Sequence, residues 1–156
     1  MHKLALSIVL TSQGISFLHA GTEFLRSKKD VENSYNKPDS INAIDWNLKT
    51  INNDVFNYVQ QLISLRKEHP AFRMQTAVQI QRNLSFLPSP RGIIGYRLNG
   101  SALNDIWKDI QVWFNGNATG QRLRREWTAG DKTAVLINGF VATASGGQQV
   151  IKGYSC

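Results

Sequence analysis

Leu10-Thr11-Ser12-Gln13-Gly14-Ile15-Ser16-Phe17-Leu18-His19-Ala20-Gly21-Thr22-Glu23-Phe24-Leu25-Arg26-Ser27-Lys28 is the stretch on which the fold turns. It closes an apolar run that already holds Leu4, Leu6, Ile8 and Val9. Apolar residues on most sides of a helix predict one lying between two other layers. Gly14 is placed to end it, because glycine accepts the left-handed backbone of a helix C-cap. Ile15-Ser16-Phe17-Leu18 then reads as a short buried strand of the kind found in parallel sheets. Helix, tight turn and buried strand together predict an α/β arrangement. Met1-His2-Lys3 and the apolar run also imitate a secretory leader. The run is too short to span a bilayer, and polar Thr11, Ser12 and Gln13 break it before a second apolar run begins.

Downstream, residues 21–53 are polar and rich in Asn and Asp, with Pro38 fixing one bend. Asn and Asp favour turns by bonding nearby backbone, and a loop this long is usually functional. An amphipathic helix is predicted over 54–69. Val55, Phe56, Val59, Leu62 and Ile63 recur at helical spacing, Asn53 or Asp54 can cap it, and Pro70 stops it. Arg66, Lys67 and His69 lie in its last turn, where cations suit the dipole. From about residue 76 short alternating segments at 78–87, 93–98, 109–115, 122–127, 134–137 and 148–153 read as strands. Asn99-Gly100 and Asn138-Gly139 supply hairpin turns with positive φ. Such spacing predicts a β-sandwich.

The net charge of +7 raises the question of nucleic acid. The basic residues are scattered, with small groups at Arg26, Lys28, Lys29 and at Arg122, Arg124, Arg125, and no recognition module accompanies them. No nucleic-acid partner is expected, nor a membrane span. Cys156 is the only cysteine, so no internal disulfide framework exists and the thiol carries no information on compartment. No His or Cys pair has zinc-ligand spacing, and no metal or cofactor is expected.

The quoted stretch, followed by Asn33-Ser34-Tyr35-Asn36 and by Ile44-Asp45-Trp46, resembles the last part of the catalytic barrel of pullulanases, in the α-amylase superfamily. There a strand ending in Gly-x-Glu leads to an Arg-(Ser/Thr)-Lys element, an Asn-Ser-Tyr-Asn loop and a closing Asp-Trp. Leu65-Arg66-Lys67 with His69-Pro70-Ala71-Phe72 is similar to the end of the last barrel helix. The resemblance implies an α+β fragment: residues 1–72 as the last helix–strand–helix portion of a (β/α)8 barrel with an active-site loop, and residues 76–156 as an antiparallel β-sandwich. It implies a parent enzyme that hydrolyses α-1,6-glucosidic linkages in pullulan, amylopectin or glycogen. An α-glucan and the upstream barrel of the same polypeptide would be its partners. The carboxylate nucleophile, the general acid and a supporting aspartate belong to earlier barrel strands, so no catalytic residue is assigned here and the isolated chain should be inactive.

The resemblance places the Asn-Ser-Tyr-Asn loop beside the substrate cleft, so Asn33, Tyr35 and Asn36 are the leading glucan contacts. Their amides suit sugar hydroxyls and the aromatic face suits sugar C–H groups. Asp39, Asn42, His19 and Glu23 follow. The competing reading makes Glu23 a structural carboxylate paired with Arg26 or a backbone amide, and makes the loop one that satisfies its own backbone. A non-catalytic carbohydrate-binding or structural module is the alternative. It would need Trp107, Trp113 and Trp127 exposed. Core packing is expected instead, since Trp113 and Phe114 are adjacent in a strand and must face opposite ways.

Overall fold

A computed structural model describes the backbone of residues 1–123, 133–137, 140–143 and 149–151, and the side chains of residues 1–120. Two compact units form, Met1–Ser16 with Leu62–Cys156, and Phe17–Gln61.

In the first unit, α1 (His2–Thr11) buries Leu4, Leu6 and Leu10 but leaves Ile8 and Val9 exposed. The helix is therefore covered on one side rather than two. Polar groups inside its buried face are satisfied locally: the hydroxyls of Ser7 and Thr11 donate to the carbonyls of Lys3 and Ser7 at 2.7 and 2.8 Å. The carbonyls at its C-terminal end lack helical partners. Arg66 serves one of them, donating to the Leu10 carbonyl at 3.0 Å, and holds the turn beyond the helix through the Ser12 and Gly14 carbonyls, each at 2.7 Å. Gly14, expected to end the helix as its left-handed C-cap, does not do so. The helix stops at Thr11 and its C-cap, Ser12, is extended at φ −71°, while Gly14 takes its positive φ of +88° two residues later, in the turn that follows.

Ile15-Ser16-Phe17-Leu18, expected as a buried strand, is irregular, with Ile15 fully exposed and Phe17 80% exposed. A parallel strand exists only through ladder bonds to its neighbours, and none of the described strands pairs with this segment.

The long helix α4 (Asn53–Glu68) begins in the second unit and ends in the first. Tyr58 and Leu65 join Val55, Val59 and Leu62 on its buried stripe, while Ile63 is exposed. A 3-10 turn, Pro70–Phe72, follows. Gln13 holds this region: its amide nitrogen donates to the Ala71 carbonyl at 2.8 Å and its oxygen accepts from the Met74 amide at 3.1 Å.

Residues 78–87, expected as one strand, divide into α5 (Ala77–Asn83) and β1 (Leu84–Leu87). The cause is a capping box. The Thr76 hydroxyl accepts from the Gln79 amide, and the Gln79 side chain accepts from the Thr76 amide, each at 3.2 Å. The other strands are β2 (Ile93–Asn99), β3 (Asp109–Asn115), β4 (Gln121–Leu123), β5 (Thr133–Ile137), β6 (Phe140–Thr143) and β7 (Gln149–Ile151). They form a five-stranded sheet in the order β1-β2-β3-β5-β6 and a β4-β7 pair. Expected as wholly antiparallel, the main sheet contains one parallel pair, β3 with β5. The chain must cross over between them, and β4 leaves the sheet on that path. Residues 124–127 of the expected fourth strand lie outside the described residues, as do Asn138 and Gly139.

The Asn99-Gly100 turn is not a tight hairpin. Gly100 has φ −67° and opens a longer loop, closed where the Ser101 amide donates to the Lys108 carbonyl at 3.1 Å. Glycine is needed there for close approach, because a Cβ would strike the Trp107 carbonyl.

Leu98, Ile110 and Val112 of the sheet, with Tyr96 and Phe114, share one core with Leu4, Leu65, Ala71, Phe72 and Met74. Trp113 is buried on the opposite face over Gly95, and Trp107 is half-buried with its ring 3.6 Å from that of His69. Both indoles are packed, as expected for core residues; Trp127 lies outside the described residues.

Candidate functional site

The second unit holds every residue that the family resemblance singles out for glucan contact. Its framework is a 3-10 turn (Thr22–Phe24), two short helices, α2 (Asp39–Asn42) and α3 (Asn47–Ile51), and the start of α4. Phe24 is its buried anchor, 5.7 Å from the Trp46 ring, and the Asn52 side chain donates to the Phe24 carbonyl at 3.1 Å. Asp45 accepts from the Asn47 amide at 3.0 Å and so starts α3.

His19 and Glu23 lie on the first turn. The His19 carbonyl accepts from the Thr22 amide at 3.0 Å, and the His19 ring is exposed. Glu23 accepts from the Gly21 amide at 3.0 Å, so one of its oxygens serves the backbone, as its structural reading anticipates. Gly21 has φ +92° and lies against the Arg26 side chain, where a Cβ would clash. Leu25, Lys29 and Asp30 also have positive φ, at 64°, 52° and 60°. Left-handed backbone is uncommon outside glycine, so this connection takes its shape from the bonds around it.

Asn33, Tyr35 and Asn36 lie at the second turn and Asp39 opens α2 just after it, all exposed, Tyr35 by 83%. The Lys37 amide donates to the Ser34 carbonyl at 3.1 Å, which makes Tyr35 and Asn36 the two central residues of a β-turn. The Asn33 side chain accepts from the Tyr35 amide at 3.5 Å. The bonds leave the Tyr35 ring and the Asn36 amide facing solvent at the apex.

The two turns are tied together by cations. Arg26 donates to the Ala20 carbonyl at 3.2 Å and also to the Asn42 carbonyl. Lys28 donates to the Asn42 side-chain oxygen at 2.7 Å, and Lys29 to the Ser40 carbonyl at 2.8 Å. Partial desolvation, aided by Arg26, lowers the pKa of the Lys28 ammonium. The densest basic group in this half of the sequence thus serves carbonyls within its own loop.

Trp46, 66% exposed, presents an aromatic surface that is not among the sugar contacts expected from the sequence. Its one sequence signal is the Asp-Trp pair that closes the loop. Asn42, counted among the weaker sugar contacts, turns its side chain inward. Among the described residues, no group of three or more His, Cys, Asp or Glu side chains could hold a metal, and no helix is long and apolar enough to cross a membrane.

Comparison with known proteins gives a consistent set of relatives. Residues 80–124 match the family model described as pullulanase, all-beta domain. The pullulanase of Bacillus subtilis strain 168 is 47% identical over 110 residues, 70% of this chain and 15% of that protein. The isoamylase of Pseudomonas amyloderamosa is 26% identical over 126 residues, 73% of this chain and 16% of that protein. A mutant pullulanase of Paenibacillus barengoltzii, solved with maltotetraose, superposes with a TM-score of 0.86 at 38% identity, covering 97% of this chain and 23% of that one. The Bacillus subtilis pullulanase solved with maltose gives a TM-score of 0.78 at 36% identity, covering 97% and 21%. The chain therefore spans less than a quarter of each of these relatives.

Proposed function

This chain is a homologue of the pullulanase-type enzymes, and we propose that it forms the C-terminal portion of a glycoside hydrolase cleaving α-1,6-glucosidic linkages in pullulan, amylopectin or glycogen. Residues 1–72 complete the catalytic (β/α)8 barrel and carry its loop, and residues 76–156 form the all-β domain. The segment at residues 15–18 becomes a strand when the neighbouring barrel strands are present to pair with it. Its exposed Ile15 and Phe17 support that reading, because a lone parallel strand has nothing to cover it.

The carrying observation is the exposed turn at Tyr35 and Asn36, flanked by Asn33 and Asp39, in a chain whose solved relatives bind maltooligosaccharides. An α-glucan offers hydroxyls at its rim and C–H groups on its faces. Asn33, Asn36 and Asp39 match the first and the Tyr35 ring the second. His19 lines the same cleft, and the Glu23 oxygen left over from the Gly21 bond is available to a sugar hydroxyl.

Retaining hydrolysis needs a carboxylate nucleophile and a carboxylic acid close together across the scissile bond. Both belong to the upstream barrel, so this chain positions substrate and performs no chemistry alone. Trp113 buried and Trp107 stacked on His69 leave the alternative carbohydrate-binding module without those two platforms.

Reducing-sugar release from pullulan tests the reading. The 156-residue chain alone should release none. The same chain, replacing its matching segment in the Bacillus subtilis pullulanase, should yield an active enzyme. Hydrolysis by the chain alone would sink the proposal.

A further inference from the structure

Asn42 is the residue on which the candidate loop converges. Its side-chain nitrogen donates to two carbonyls, Ser34 and Lys37, each at 2.7 Å. Those are the first and last residues of the turn whose centre is Tyr35 and Asn36. Its side-chain oxygen accepts from the Lys28 ammonium at 2.7 Å, and its backbone carbonyl accepts from Arg26. Two donated protons and one accepted bond leave the amide with a single lone pair and no hydrogen free for a ligand. Asn42 therefore sits at the end of α2 with both ends of the turn pinned to one planar group. Aspartate or leucine could not do this: the first has no N–H, the second no polar atom.

We propose that Asn42 is a positioning residue that fixes the Tyr35-Asn36 turn, with Lys28 orienting its amide so that both hydrogens face the turn carbonyls. The assignment of α-glucan as the ligand of that turn rests on the function proposed above; the clamp does not. The ammonium selects one of the two flip states of the amide, because the opposite state would bring the NH2 group against a cation and aim the oxygen at two carbonyls. Lys28 thus acts on the turn through Asn42, while Asn33, Tyr35 and Asn36 are the groups that meet the sugar.

The full chain, its Asn42→Ala, Asn42→Asp and Lys28→Met variants and unlabelled maltotriose suffice to test this. Amide hydrogen exchange is read at Lys37, whose amide closes the turn, and at Tyr35, whose amide donates to the Asn33 side chain at its start. Asn42→Ala should speed exchange there by about tenfold or more, the effect of losing one to two net hydrogen bonds, with exchange in β2 and β3 unchanged. Asn42→Asp, which keeps the oxygen toward Lys28 but has no N–H, should speed it as much. Lys28→Met should give a smaller increase. Unchanged exchange at Tyr35 and Lys37 in Asn42→Ala, or full rescue by Asn42→Asp, would overturn the clamp. Maltotriose titration followed by amide shifts supplies the second arm, at a temperature where all variants are folded. Binding at the turn in the wild type, weakened by about tenfold in Asn42→Ala without loss of global fold, supports clamp and ligand together. Faster exchange in Asn42→Ala together with a wild type that ignores maltotriose upholds the clamp and removes the glucan reading.

Discussion

Tyr96 and Asp105 show how single polar groups hold the first unit together. The Tyr96 hydroxyl donates to the Thr11 carbonyl at 2.8 Å, joining β2 to the end of α1 inside the core. Burial pushes its pKa up to about 12, and the nearby Arg66 cation offsets only part of that. Folded and unfolded forms are both neutral below the ordinary value of 10, so the stabilisation is complete there. As pH rises from about 10 through about 12 the unfolded phenol ionises first, and roughly 2–3 kcal/mol is lost. Tyr96→Phe should cost roughly 1–3 kcal/mol at neutral pH, because the Thr11 carbonyl is left unpaired. The gap between the two proteins should then narrow across that alkaline window, as urea unfolding at stepped pH would show. Asp105 is more heavily committed. One of its oxygens meets His69 Nδ1 at 2.8 Å and accepts from the Trp107 amide at 3.0 Å, and the other accepts from the Ala71 amide at 3.1 Å. Asp105, His69 and Ala71 are buried and Trp107 is half-buried. Asp105→Ala strands three partners and should cost roughly 3–5 kcal/mol by the same unfolding measurement. Nothing in the sequence marks Asp105, because its three partners come together only after the chain has folded back.

At the scale of elements, Thr76 decides where helix gives way to sheet. Its hydroxyl and the Gln79 side chain complete a reciprocal box at the start of α5, and removing such a cap costs about 1 kcal/mol. Thr76→Ala should lower the melting temperature by a few degrees and release amide protection within Ala77–Asn83, while leaving the β2–β3 ladder intact. The signal for that helix, Thr-x-x-Gln ahead of an apolar position, is present in the sequence, but the alternation through 78–87 outweighs it and predicts one long strand. Helices and strands with a strong internal period were legible: α4 from its apolar stripe, β2 and β3 from alternation bounded by turn residues. The parallel pairing of β3 with β5 was not, since pairing direction depends on a crossover path that periodicity does not encode. The loop was legible in a different way. Its residues marked it through a family pattern, but which asparagine meets solvent and which is the clamp depended on hydrogen-bond geometry. Asn33 and Asn36 face out and Asn42 faces in, although all three are the same residue type in one polar run.

For the whole molecule, the sheet does not keep its core to itself. One face of β2 and β3 is covered by Leu4 of α1, Leu65 of α4 and the turn residues Ala71, Phe72 and Met74. These come from both chain segments that flank the second unit. Residues on both sides of the boundary proposed at 72–76 therefore share one hydrophobic core. Truncating a single such side chain costs roughly 2–5 kcal/mol, while an average domain is stable by only about 5–15 kcal/mol. Losing Leu4, Leu65, Phe72 and Met74 together removes more than a small sheet can spare. A chain beginning at residue 76 should accordingly lose cooperative thermal unfolding by circular dichroism and bind a hydrophobic dye through the exposed faces of Tyr96, Leu98 and Val112. The intact 156-residue chain should unfold with a sharp transition in its β signal. A cooperative transition in the truncated chain would mean that the sheet finds its own cover. In that case the helices at 2–11 and 53–68 would belong wholly to the barrel rather than to the surface on which the all-β domain is built.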